Sequence, residues 1–264
     1  PYYFAMYPRF QADWASFGPG RPVVEVHWPN EVRLGARLMT TVGRWTLSFM
    51  DYWGHNLTPS VYYRGFDSAT RTYRFVKTYP RQNIIGFAFN TVWDRIGTVF
   101  RGEFAYYNDK PYQTFDRREK GGVTRADTIS YCLGVDRDCF VPWIHPEDPT
   151  QTVFVSLQMF QDIVLDDDDP LHVGPYLTRV EKVDTKFTLK TFTKYLHGKF
   201  KPEVVMAYHP EGDGLFRFTL TFYPPWSERY YVEVRYVNYW GRDYEWLGLF
   251  NEKDSLFLRV RYMW

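Results

Sequence analysis

From residue 31 to the end of the chain, apolar and polar residues alternate in one short segment after another. In 215–222, Phe216, Phe218, Leu220 and Phe222 share one parity, and Arg217, Thr219 and Thr221 share the other. In 255–264, Leu256, Leu258, Val260, Tyr262 and Trp264 oppose Ser255, Arg259 and Arg261, with Phe257 and Met263 on the polar side. Period-two alternation places successive side chains on opposite faces of an extended chain, so each segment predicts a strand with one apolar face.

The same period marks nine more segments. Val32, Leu34, Ala36 and Leu38 oppose Arg33, Gly35 and Arg37, and Trp45, Leu47 and Phe49 oppose Thr46 and Ser48. Ile85, Phe87 and Phe89 follow, then Phe100, Gly102, Phe104 and Tyr106, then Ile129, Tyr131, Leu133 and Val135, then Val153, Val155, Leu157 and Met159. Phe187, Leu189 and Tyr195 oppose Lys186, Lys190 and Lys194; 200–209 and 229–239 complete the set. That makes eleven strands and no convincing amphipathic helix. Residues 22–28 are a candidate twelfth strand in an otherwise irregular segment, 1–30; the strands and loops of the sheet occupy 31–264. Gly- and Pro-containing turns bound the segments, among them Val42-Gly43-Arg44, His197-Gly198-Lys199, Glu211-Gly212-Asp213-Gly214 and Pro224-Pro225.

Two features favour a membrane barrel over a soluble sandwich. Full charges sit mid-strand opposite large aromatics, and strands of about ten residues match what a tilted strand needs to cross a bilayer. Connection lengths also alternate. With Trp264 at the periplasmic end, the long connections 240–254, 166–182, 108–126 and 54–80 fall outside and the short ones at 223–228, 196–199, 93–96 and 42–44 inside. The turn at 210–214 and the connection 136–150 fit this trend poorly. The expectation is an all-β, transmembrane, antiparallel up-and-down β-barrel. Because bacterial barrels of one chain use even strand numbers, the eleven or twelve strands here predict part of a larger barrel lacking N-terminal strands.

Composition adjusts this picture. Aromatics make up 20% of the 264 residues, a supply suited to interfacial girdles. Mean hydropathy is negative and no run approaches about 18 apolar residues, which excludes a spanning helix but not a barrel. A net charge of +1 without a Lys/Arg tract argues against a nucleic-acid partner. Cys132 and Cys139 match neither a zinc spacing nor CxxCH; a short-loop disulfide and two free thiols both remain open. The chain starts at Pro1 without a signal peptide, which predicts a mature or truncated product.

Four motifs follow one another in order: Tyr62-Tyr63-Arg64-Gly65-Phe66-Asp67, Arg101-Gly102-Glu103-Phe104-Ala105-Tyr106, Leu133-Gly134-Val135-Asp136-Arg137 and Gln158-Met159-Phe160-Gln161. Together with the C-terminal strand, over roughly 40–165 and 255–264, this resembles a porin-like outer-membrane family of Gram-negative bacteria known only as a domain of unknown function. The resemblance implies a barrel in the outer membrane and neither a substrate nor catalytic residues. The terminal strand 255–264 similarly resembles the signal read by the barrel assembly machinery.

By parity, Arg33, Arg37, Arg101, Lys186, Lys190, Lys194, Arg217, Arg235, Arg259 and Arg261 line a lumen, against Glu103, Glu203 and Glu233. Such rings set ion preference through the local potential, here toward anions. The bland alternative is cross-strand or i, i+2 pairing, as in Arg101–Glu103 and Glu233–Arg235, that braces the interior. Asp166–Asp169 lacks the spacing of a calcium loop and reads as a solvated acidic tip. The six histidines show no HExxH or paired spacing, and GxSxG, the P-loop and GxGxxG after a strand are absent, so no catalysis, cofactor or metal is expected. The expected function is a porin-like passage for small solutes, in contact with outer-membrane lipids. The rivals are a barrel sheathing a lumen-filling partner, such as a multihaem cytochrome, and a soluble β-rich binding protein.

Overall fold

The computed structural model describes residues 21–262 apart from 29–31, 115–119, 147–149, 166–170, 174–177, 225, 227–228, 243–244 and 246. The acidic stretch Asp166–Asp169, the terminal Met263 and Trp264, and residues 1–20 lie outside the described residues.

Among the described residues, sixteen strands form. They are β1 (Arg21–Val26), β2 (Leu34–Val42), β3 (Trp45–His55), β4 (Ser60–Asp67), β5 (Thr72–Thr78), β6 (Arg81–Trp93), β7 (Thr98–Thr114) and β8 (Val123–Cys139), followed by β9 (Val153–Val164), β10 (Leu171–Val173), β11 (Thr178–Val180), β12 (Val183–Phe192), β13 (Phe200–Tyr208), β14 (Gly214–Phe222), β15 (Tyr230–Trp240) and β16 (Ser255–Tyr262). Among the described residues helix is confined to three single 3₁₀ turns. None is long and apolar enough to cross a membrane.

The eleven strands expected from alternation form one continuous antiparallel sheet in the order β16-β15-β14-β13-β12-β9-β8-β7-β6-β3-β2. Each is hydrogen-bonded to its neighbour in sequence among these eleven, the arrangement of an up-and-down meander. The sheet is open among the described residues: β2 and β16 are its edges and do not pair with each other. No closed barrel therefore forms among the described residues. The candidate strand at 22–28 forms, as β1, but does not become a twelfth. It pairs in parallel with β5, in a separate three-stranded sheet, β1-β5-β4.

Connection lengths follow the expected trend only in part, since the long connection 140–152 lies with the short turns and the short turn 209–213 lies with the long loops. One end of the sheet carries the two-residue turn Gly43–Arg44, the turn at 94–97 and the connections 140–152, 193–199 and 223–229; the other carries the β4–β5 hairpin, the β10–β11 hairpin and the loop after β15. We call these the turn end and the loop end. Two segments expected to be loops are largely strand. Residues 54–80 hold β4 and β5, and 108–126 are mostly the far halves of β7 and β8. The reason is a bulge: the β7–β8 register shifts between Tyr107 and Lys110, where Asp109 takes a positive φ of 52° and donates its backbone N–H to Asp127 at 2.9 Å. The hairpin continues past it.

Tyr112, Ala126 and Val164 make a buried cluster beyond the bulge, with Val180 packed on it and Tyr112 hydrogen-bonded to Thr128 at 2.6 Å. The small sheet sits beside this hairpin. A Cβ on Gly121, at φ 68°, would come within 2.9 Å of the Tyr63 carbonyl oxygen, so that approach requires glycine. The apolar core of the described residues thus lies at the loop end, and none lies across the eleven-strand sheet.

Candidate functional site: the charged face of the sheet

Residues directly opposite in an antiparallel pair share a face. Following the register from strand to strand, one face carries Leu34, Leu38, Phe49, Ile85, Phe87, Phe104, Leu133, Leu157, Phe187, Met206, Phe218, Val234, Leu256, Leu258 and Val260. This face is bare. Leu256, Leu258 and Val260 are 73%, 72% and 65% exposed, and Leu34, Leu38, Trp45, Phe49, Ile85, Trp93 and Leu157 are also exposed. A water-soluble monomer rarely exposes a contiguous apolar patch of more than a few hundred Å².

On the opposite face the pattern inverts. Ser48, Ser156 and Thr219 are buried beneath longer neighbours. Arg37 Nε donates to Ser48 Oγ at 2.8 Å, Arg101 reaches Ser156 Oγ at 3.4 Å, and Thr219 stands between Glu203 and Arg235 in register. The apolar face is exposed while small polar residues of the charged face are buried.

Arg37, Arg101, Glu103, Lys186, Lys190, Arg217, Glu233, Arg235, Arg259 and Arg261 all fall on this charged face. Arg33 precedes β2, and its Cγ lies where a Cβ on Gly54, a residue of the same face, would meet it at 3.2 Å. Lys194 departs from the expected row. β12 ends at Phe192, so Lys194 lies in the turn at 193–199, as does Tyr195, which bridges back to Phe200.

Four carboxylates that the alternation missed join the face: Asp136, Asp138, Asp162 and Asp184. Each sits at or past the end of an expected strand, where the apolar period had stopped. They change the electrostatics unevenly. On β2–β9, Arg33, Arg37, Arg101 and Lys110 now meet Glu103, Asp136, Asp138 and Asp162. On β12–β16, Lys186, Lys190, Lys201, Arg217, Arg235, Arg259 and Arg261 meet only Asp184, Glu203 and Glu233 among the described strand residues.

The sharing of partners follows this imbalance. Glu203 is approached by Lys190 at 3.5 Å, Arg217 at 3.4 Å and Lys201 at 3.8 Å; Glu233 is approached by Arg235 at 2.8 Å and Arg259 at 3.9 Å. Lys186 pairs with Asp184. Arg101 pairs with Asp136 at 3.2 Å, across strands, where the i, i+2 reading had assigned Glu103. Glu233–Arg235 is an i, i+2 pair as expected. Pairing thus covers part of the face and leaves β12–β16 with more cations than carboxylates.

At the loop end the charged face meets a docked loop. Asp213, fully buried, accepts the Leu247 backbone N–H at 2.7 Å, and Leu247 is itself buried. Asp254 accepts from Tyr239 N–H at 2.9 Å and Asn238 Nδ2 at 2.7 Å. Gly241 takes φ 138°, and a Cβ there would lie 2.3 Å from the Asp213 Cβ. Gly241→Ala is expected to unseat the loop at a cost of about 1–3 kcal/mol, seen as faster proteolysis within 241–254 and a lower unfolding midpoint; unchanged proteolysis would show that the approach has no such role.

Cys132 and Cys139 are both free. Seven residues apart in one strand, they point to opposite faces, which resolves the earlier alternatives toward two thiols.

Comparison with protein-family models, with curated proteins and with solved structures finds no match. The class is therefore defined by architecture: an all-β protein built on an eleven-strand antiparallel meander, with one exposed apolar face and one charged face.

Proposed function

We propose that this chain forms the wall of a transmembrane β-barrel in a Gram-negative outer membrane and acts as a porin-like passage for small solutes, with a preference for anions. The observation that carries this reading is an apolar face that runs across the eleven strands, exposed on most of them and half-buried on β14, opposite a charged face. Lipid solvates the first and water the second. The resemblance of the four ordered motifs to a porin-like family supports it, as do the short turns at Gly43–Arg44 and 94–97 at the end opposite the loop after β15. Selection works through pore radius and wall charge, without covalent chemistry. The cation excess on β12–β16 lowers the energy of an anion near that wall.

Closure follows from strand parity. In an antiparallel series of eleven, the first and last strands run in the same direction, so β2 and β16 would meet in parallel. An even-numbered antiparallel barrel takes an odd number of further strands between them. In planar bilayers under a salt gradient, the purified protein is expected to conduct with a reversal potential of the sign for anion preference. Cation preference would overturn the selectivity. Failure to conduct, with monodisperse behaviour in detergent-free buffer, would overturn the membrane reading.

A further inference from the structure

Where the β15–β16 loop docks on the turn between β13 and β14, one imidazole meets three carboxylates. His209 is buried. Its Nδ1 lies 2.6 Å from Asp213 Oδ1 and 4.0 Å from Glu245 Oε2, and its Nε2 lies 3.0 Å from Asp184 Oδ1. One ligand atom each from His209, Asp213 and Glu245 can be enclosed within a mutual separation of 4.8 Å. A second observation is independent of that spacing. Glu245 Oε2 is shielded from solvent and accepts no hydrogen bond, and Asp184 Oδ1, equally shielded, has the His209 Nε2 contact at 3.0 Å. Buried carboxylate oxygens without donors are costly, and such an oxygen aimed into a cluster calls for a cation.

Among the nearby cations, Lys186 is held by Asp184, Lys110 interacts with Asp162 and Asp184, and Arg242 is exposed. A single imidazole can bring at most one positive charge between Asp213 and Glu245.

We propose that His209 Nδ1, Asp213 and Glu245 form a site for a first-row divalent cation, with Zn²⁺ the best match, that clamps the β15–β16 loop to the β13–β14 turn. One nitrogen with two carboxylates is a donor set that Zn²⁺ takes readily, whereas Ca²⁺ and Mg²⁺ prefer all-oxygen shells. Zinc–ligand bonds of about 2.1 Å in a tetrahedron put ligand atoms about 3.4 Å apart. The 2.6 Å contact must widen and the 4.0 Å one close, each by less than about an ångström. The ion replaces the proton that Nδ1 shares with Asp213, and that proton leaves to solvent. Nε2 keeps its hydrogen and faces Asp184, the carboxylate behind the histidine that orients such ligands. Asp213 Oδ2 is already held by the Leu247 N–H.

The test is calorimetric titration of the full chain in detergent with Zn²⁺, after treatment with chelator. One equivalent is expected to bind. Glu245→Gln, a change in the loop that leaves the strands alone, is expected to abolish saturable binding. Asp184→Asn is expected to weaken it about 10–100-fold, and Glu211→Gln to leave it unchanged. Absence of saturable binding by the wild type would overturn the site, as would Glu245→Gln binding like wild type or displacement of Zn²⁺ by equimolar Ca²⁺ or Mg²⁺. None of these readouts depends on whether the barrel conducts.

Discussion

Leu157→Arg is expected to lower the stability of the bilayer-inserted protein by about 2–4 kcal/mol, the cost of an arginine on the lipid face near the midplane. Leu157 stands mid-strand in β9, paired across to Leu189 on one side and Val135 on the other, and is 52% exposed. That exposure makes the variant decisive. In water, a half-exposed leucine replaced by arginine changes stability by less than about 0.5 kcal/mol. The neighbouring change Gln158→Arg, on the charged face, is expected to cost under about 1 kcal/mol in the same vesicles, since that face is wet. Urea titration in lipid vesicles reads the difference between the two. Equal and small effects would place both faces in water and remove the membrane reading, whatever the conductance.

Reversing three charges on the basic stripe is expected to change the sign of ion selectivity. The seven cations and three carboxylates of β12–β16 leave an excess of four positive charges. Lys190→Glu, Arg217→Glu and Arg259→Glu together remove six, leaving an excess of two negative charges. The reversal potential should cross zero toward cation preference, most clearly at low salt, where the Debye length spans more of the pore. The milder set Lys190→Gln, Arg217→Gln and Arg259→Gln avoids crowding carboxylates around Glu203 and Glu233, and is expected to reduce anion preference without reversing it. Selectivity unchanged by either set would assign the stripe a bracing role.

The strands and their faces were legible in the sequence because they depend on near neighbours. Leu256, Leu258 and Val260 must share a face once the chain is extended, and hydrogen-bonding of adjacent segments follows from short turns such as Gly43–Arg44. Errors arose where the apolar period failed before the strand did. Asp136, Asp138, Asp162 and Asp184 sit at such ends, and their carboxylates reduced the apparent cation excess of the whole face. β4 and β5 were read as loop because Tyr62-Tyr63-Arg64-Gly65-Phe66-Asp67 belongs to a separate sheet, with a bulge between Tyr63 and Gly65.

The loop-end cluster was beyond reach for a different reason. His209 and Asp213 are four residues apart, but Asp184 and Glu245 come from distant segments, and no spacing rule connects them. Their meeting depends on the docking of the β15–β16 loop, on the glycine at 241 that permits it and on the buried Asp213 that receives the Leu247 N–H. β1 is a similar case, since alternation marked it as a strand and carried no information on which sheet would accept it. The two-residue period, acting between neighbours, sufficed to place eleven strands and to divide their side chains into an apolar and a charged face. Which edges remain open, where the small buried core lies and which distant carboxylates gather around His209 were decided by tertiary packing, because those contacts join residues whose separation along the chain has no fixed relation to their separation in space.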